Sequence, residues 1–200
     1  FILCGVGIAQ ALFGTILLYY AAVQIGEVEN ALLWSELFKH ANQLNPEILE
    51  IAFVFLLIGY GTKIGLVPLH NWLPDAHSEG PTPMSAVLSG LLLNDALYAV
   101  VRSKMLVDGS SHSNMAGYLM MGFGLLSFLV AAFFLHRQKD IKRLFSYSSI
   151  EHMGIMTFAF GIGGQVVHDL HSSRAVRDIG KAVKNRDRPR DAGSHERGEQ

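Results

Sequence analysis

The stretch from Ile51 to Pro83, IAFVFLLIGYGTKIGLVPLHNWLPDAHSEGPTP, limits what this chain can become more than any other. From Ile51 to Leu69 it is apolar except for Tyr60, Thr62 and Lys63. A lysine at the centre of a bilayer costs about 2.5–3.5 kcal/mol on insertion scales, so it normally has a partner and a function. Gly59, Gly61 and Gly65 surround Lys63, and Pro68 follows. Glycine weakens a helix by about 1 kcal/mol relative to alanine, and proline removes a backbone donor. The pattern therefore predicts a membrane helix interrupted beside the lysine, with Gly61, Gly65 and Pro68 forming the break. Backbone broken at membrane depth survives only where protein or a water-filled cavity satisfies it. A lysine there points to an ion or proton path. Snorkelling is the alternative: if the helix ends at Leu69, the Lys63 stem reaches an interface. If the helix resumes through HNWLPDA, the middle of the segment lies near Thr62 and the lysine has no way out.

The rest of the chain divides in two. Residues 1–164 hold 8 Lys and Arg against 11 Asp and Glu, spread among long apolar runs. Residues 165–200 pack 8 basic and 6 acidic residues into 36 positions with no aromatic side chain. Such composition cannot bury enough apolar surface to order itself. The expected organisation is a transmembrane helical part over 1–164 and a disordered polar tail over 165–200, for which a frameshift product without a role is the favoured reading. The chain opens on Phe1 inside an apolar run, which suggests a missing N-terminus, and no signal-peptide pattern is present.

A spanning helix needs about 20 apolar residues. Five stretches approach this, at about 1–26, 47–69, 84–104, 115–136 and 143–164, so the fold class expected is all-α, a polytopic membrane protein with one discontinuous helix. Between the first two spans, Glu27–Asn45 reads as a loop with a short amphipathic helix, and residues 108–114, DGSSHSN, as a polar turn. HRQKDIKR, residues 136–143, is a basic hinge. Weak positive-charge asymmetry places this hinge and LPDAHSEG together on the cytoplasmic side.

The polar residues inside these spans are the candidates for chemistry. Asp95 lies past the middle of the third span, and a buried carboxylate must be paired or protonated. Arg102 is two turns away on its own helix, so a partner must come from elsewhere, and Lys63 is the nearest in sequence. In the fifth span Glu151 and His152 stand one turn beyond Tyr147 and Ser148, at i,i+4 spacing, where hydroxyls could steady them. The plain alternative is a polar cluster satisfied between helices. Lys142 in the hinge is either a path residue or an interfacial anchor. His70 and His77 read as solvated loop residues.

Cys4 is the single cysteine, so an internal disulfide and a cysteine metal site are excluded. No H-x-x-x-H spacing, nucleotide-binding glycine motif, haem motif or iron–sulfur cysteine set occurs. No metal and no cofactor are expected, no redox chemistry by the chain itself, and no nucleic-acid partner.

GYGTKIGLVPLHNWLPDAHSEGPTPMSAVLSG and RQKDIKRLFSYSSIEHMG together resemble the antiporter-like membrane subunits shared by respiratory complex I, Mrp cation/proton antiporters and group 4 hydrogenases. WLPDAHSEGPTPMSA and SSIEHMG are most like the hydrogenase-4 F branch of that family, and the likeness runs over about residues 1–164. The resemblance implies the sixth to tenth helices of a fourteen-helix core made of two inverted five-helix repeats. It assigns Lys63 to the proton-holding lysine of the discontinuous seventh helix and Lys142 to the lysine that joins two half-channels. Glu151 and His152 would continue that path. Leu88 stands where some relatives carry histidine, and Asp95 where hydrogenase-like members usually have a small residue. The implied setting is the inner membrane of a prokaryote. The implied partners are protons, the lipid bilayer, and the membrane and hydrophilic subunits of a hydrogenase or complex-I-like assembly. An Mrp-type Na+/H+ antiporter subunit, or a non-conducting fragment, are the alternatives.

Overall fold

Asn45 opens the helix that carries Lys63. Its side chain accepts a hydrogen bond from the Glu47 amide at 3.0 Å, and Pro46 takes the first helical position, where a missing donor costs nothing. In the computed structural model, which describes residues 2–26, 33–110 and 114–172, this helix is one of eight α-helices. They are α1 (Ile2–Val23), α2 (Trp34–Lys39), α3 (Pro46–Ile64), α4 (Trp72–Glu79), α5 (Thr82–Val87), α6 (Leu93–Ser110), α7 (Met115–Leu135) and α8 (Ile141–Ser172). A 3-10 turn (Ala41–Gln43) precedes α3, and a π-helical stretch (Leu88–Leu92) joins α5 to α6. No strand occurs among the described residues, as the sequence pattern requires. The chain forms two units, Phe1–Gln165 and Val166–Gln200.

Among the described residues, three helices are long and apolar enough to cross a membrane: Ile2–Val23, Thr82–Ser110 and Met115–Leu135. The two other expected spans fall short of that composition. α3 carries Glu47, Glu50 and Lys63, and α8 carries Lys142, Arg143, Glu151 and His152. Length and hydropathy therefore mark three of the five expected spans among the described residues.

Two boundaries also move. The third span reaches Ser110, so Asp108, Gly109 and Ser110 are helical instead of starting a turn. Lys104 pairs with Asp108 one turn along, and the Ser110 hydroxyl donates to the Val107 carbonyl at 3.2 Å, which holds the last turn. At the other end, α8 continues to Ser172, past the expected boundary at Gly164. The predicted disorder of 165–172 is thus replaced by helix, and residues 173–200 lie outside the described residues.

Close helix packing rests on glycine. A Cβ on Gly59 would lie 2.6 Å from the Ala11 nitrogen, and one on Gly14 would meet the Leu56 side chain at 2.8 Å. These sites seat α1 against α3. Gly124 and Gly154 do the same for α7 and α8: a Cβ on Gly154 would come 2.9 Å from both the Gly124 carbonyl and the Phe128 amide. Membrane helices associate through small residues because lipid is as apolar as the side chains it would replace. α3 packs against α1, α6 and α7, with Phe53, Leu57 and Ile64 fully buried.

Candidate functional site

The break in the Lys63 helix is built from its backbone outward. α3 ends at Ile64, and Gly65 takes φ 79°, a left-handed conformation that disfavours a Cβ. The Gly61 carbonyl accepts from both the Gly65 amide (3.0 Å) and the Leu66 amide (2.9 Å), which closes the helix end. Gly61 itself is helical, so the turn is made at Gly65. The Val67–Pro68 peptide is cis. The chain then enters α4 at Trp72.

Two of the polar groups freed at the break find partners from outside α3. The Val67 amide donates to the Ser127 hydroxyl of α7 at 2.9 Å in a buried setting. The Trp72 indole N–H donates to the Thr62 carbonyl. Gly65 lies against Leu73 and Ile150, so α4 and α8 close over the break. The requirement that protein satisfy interrupted backbone is met by Ser127 and Trp72, neither of which the sequence marked.

Lys63 sits in the last turn of α3, half-buried, and makes no ion pair among the described residues. Asp95 does not pair with it. Asp95 is exposed on α6, and Lys63, its nearest candidate partner in sequence, makes no ion pair with it.

Beyond the break, α4, α5 and the π stretch face α8 across a cavity of about 550 Å³. Lys142, His152 and His77 line it, with Ser85, Ser89 and Asn94. The Ser89 and Ser149 hydroxyls share a hydrogen bond of 2.8 Å between the π stretch and α8. His152 Nδ1 lies 2.7 Å from the Ser148 carbonyl. A carbonyl only accepts, so Nδ1 carries the proton and Nε2 is the nitrogen left for other chemistry. The group steadying His152 is thus the Ser148 carbonyl, where its hydroxyl was expected.

Lys142 is exposed at one end of this cavity. Its ammonium donates to the Gly80 carbonyl at 3.1 Å and the Ser78 carbonyl at 3.5 Å, at the C-terminal end of α4. A cation is favoured at a helix C-terminus. Arg143 pairs with Asp75 of the same helix at 3.2 Å. LPDAHSEG and the basic hinge therefore meet at one end of the bundle, as their charge pattern suggested.

His77 is a residue that sequence reasoning passed over. It is 4% exposed, and its Nε2 has no hydrogen-bond partner among the described residues. The solvated-loop assignment fails for it and for His70, which is also buried and meets the Tyr147 ring edge-on at 6.4 Å between centroids. Glu151, half-buried, stands one turn beyond Tyr147 on α8 and does not line the cavity. The site thus joins Lys142 and His152, adds His77, and leaves Lys63, Glu151 and Asp95 outside the cavity wall. No group of three or more metal-ligating side chains occurs among the described residues.

Known proteins match this chain over the same region. Residues 4–171 match the family described as NADH:quinone oxidoreductase/Mrp antiporter, TM, a match running past Gly164 to within the end of α8. A hydrogenase-4 component F homolog from Methylacidiphilum infernorum is 60% identical over 169 residues, covering 84% of this chain and 36% of that protein. Hydrogenase-4 component B of Escherichia coli is 30% identical over 159 residues, 78% of this chain and 23% of that protein. The NAD(P)H-quinone oxidoreductase chain 4 of Prochlorococcus marinus is 36% identical over 126 residues, 62% of this chain and 24% of that protein. The chain therefore spans a third or so, or less, of the length of these curated relatives.

Proposed function

We propose that this chain, which belongs to the NADH:quinone oxidoreductase/Mrp antiporter transmembrane family, carries protons through the membrane within a hydrogenase-like or complex-I-like assembly of a prokaryotic plasma membrane. The supporting observation is the cavity of about 550 Å³, where an ammonium, two imidazoles and several hydroxyls converge between apolar helices. Polar and ionisable residues inside a membrane are costly and are kept where they serve a path. Lysine and histidine both bind and release protons near neutral pH when burial and neighbouring charges oppose each other.

In this scheme Lys63 holds a proton at the broken helix. His77, His152 and Lys142 hand it along the cavity, with waters bridging the gaps and Glu151 flanking the transfer from the side of Tyr147. α3 and α8 then count as spans despite their charges, most of which lie near the helix ends: Glu47 and Glu50 at the start of α3, Lys63 in its last turn, and Lys142 and Arg143 at the start of α8; this makes five. Electron transfer, if the assembly performs it, belongs to other subunits.

The test is proton uptake into inverted membrane vesicles followed by a pH-sensitive dye. Lys63→Ala should abolish uptake, and Lys63→Arg should impair it, because arginine stays charged and releases no proton. Uptake equal to wild type in both variants would refute the scheme. Uptake that appears only with a sodium gradient would favour the Na+/H+ antiporter alternative.

A further inference from the structure

Arg102 is a half-buried cation on α6 that makes no ion pair among the described residues. The charges around it are already matched: Lys39 pairs with Glu36 at 2.8 Å, and Lys104 pairs with Asp108. Aromatic rings hold the guanidinium instead. It lies 4.3 Å from the Trp34 ring centre and 4.8 Å from that of Tyr98. The Trp34 indole N–H donates to the Arg102 carbonyl at 3.3 Å, which ties α2 to this turn of α6. A ring face attracts a cation but gives its in-plane N–H groups no lone pair, so the donor fork stays open to an acceptor.

The fork stands at a cleft of about 190 Å³ among α1, α2, α3 and α6. Arg102, Trp34 and Tyr19 line it, with Leu18, Leu37 and Leu56 as an apolar wall. The aromatic side chains set its depth. Tyr19 and Tyr20, near the end of α1, are 46% and 53% exposed, and Tyr98 is 58% exposed. Exposed tyrosine and tryptophan gather at the headgroup level of a bilayer. Arg102 lies two turns before the end of α6 at Ser110, about 12 Å along the axis, and a long basic side chain at that depth extends toward the interface. A guanidinium at the edge of the hydrocarbon is costly without an anion beside it.

We propose that this cleft binds a glycerophospholipid of net charge −1, with its phosphodiester on the Arg102 fork and the start of one acyl chain along Leu18, Leu37 and Leu56. Guanidinium takes two phosphate oxygens at once, a match that an ammonium does not make. The Lys39–Glu36 and Lys104–Asp108 pairs cancel, so the described residues leave one positive charge here, and one phosphodiester balances it. A free phosphate would occupy the fork and leave the leucine wall uncovered, whereas a phospholipid satisfies both. This assignment does not depend on the proton path.

The chain has two tryptophans, Trp34 and Trp72, so fluorine NMR of the 5-fluorotryptophan-labelled chain in maltoside micelles observes the cleft and the helix break separately. Trp34→Phe assigns the two lines. Added phosphatidylglycerol should shift the Trp34 line to saturation and leave the Trp72 line in place. Arg102→Gln should raise the half-saturating lipid fraction by about tenfold or more, since a charge-assisted contact is lost. Ala99→Leu narrows the cleft with Arg102 intact and should weaken the same titration. A Trp72 line unmoved by either substitution shows that the fold is kept. Phosphatidylcholine, whose added cation opposes Arg102, should bind more weakly, and inorganic phosphate should not reproduce the shift. An Arg102→Gln titration equal to wild type would overturn the proposal, as would equal response to phosphatidylcholine. A full shift with inorganic phosphate would make this an anion site without a lipid and overturn it too.

Discussion

The Val67 amide and the Ser127 hydroxyl meet at 2.9 Å, 60 residues apart in sequence and fully inside the protein. Ser127 is 0% exposed and Val67 6%, so neither group has water to fall back on. Ser127→Ala deletes the acceptor and leaves the amide buried and unpaired. Leaving such a donor unsatisfied costs about 1–3 kcal/mol. The Ser127 hydroxyl also donates to the Phe123 carbonyl at 2.6 Å, but that carbonyl keeps its helical partner, so the loss falls mainly on Val67. Since 1.4 kcal/mol is a factor of ten, hydrogen exchange at the Val67 amide should quicken by about 5- to 140-fold.

The measurement is amide exchange by NMR on protein labelled with [15N]valine in nanodiscs. Thr15→Val provides the comparison, because it also removes a hydroxyl bonded to a carbonyl one turn back, that of Ala11, at 2.9 Å. Exchange at Val67 should be unchanged there. If Ser127→Ala exchanges no faster than wild type, Ser127 does not hold the break, and the account of how the interrupted helix is tolerated fails.

Other outcomes follow from the same geometry. Gly154→Val should lower stability in detergent by about 1–3 kcal/mol, the usual cost of overpacking, because its Cβ would lie 2.9 Å from two backbone atoms of α7; unfolding by steric trapping measures it. Gly65→Ala should cost about 1–2 kcal/mol through its left-handed backbone, with Leu73 crowding the new methyl at 3.1 Å, and would appear as a lowered thermal midpoint. His77→Gln should slow proton uptake into vesicles at least tenfold without changing the amount of protein inserted, since it removes the titrating ring from the cavity wall while keeping polarity and approximate size; unchanged uptake would take His77 out of the path.

Much of the fold was legible because membranes impose simple rules. Apolar runs marked α1, α5–α6 and α7, and Gly65 with Pro68 marked the break, since few residues tolerate such backbone. What escaped was set by distant partners. Ser127 looked like one hydroxyl in an apolar span, yet it is the acceptor for an amide 60 residues away. His77 sits among Pro, Asp, Ser and Glu, a loop-like setting, yet α4 forms there and turns it inward. The π stretch has no composition cue, and its consequence is a serine–serine bond to α8. For Asp95 the sequence left pairing and protonation open and offered Lys63 only as the nearest cation, whereas α6 turns that carboxylate outward, a direction that only the packed helix sets.

The eight-residue helix α4 ties the two polar regions together. Its first residue, Trp72, holds the last turn of α3 through the Thr62 carbonyl, next to Lys63. Its far end receives Lys142 on the Ser78 and Gly80 carbonyls and Arg143 on Asp75. His77 projects from its body into the cavity wall. A helix this short is marginal by itself, so contacts at its ends account for much of its order. Under the proposed function, a shift of the α3 terminus on protonation of Lys63 would pull on α4 through the Trp72–Thr62 bond, and with it on His77 and the carbonyls that hold Lys142. Coupling between Lys63 and Lys142 would then run through the backbone of α4 and would need no continuous chain of side chains between them.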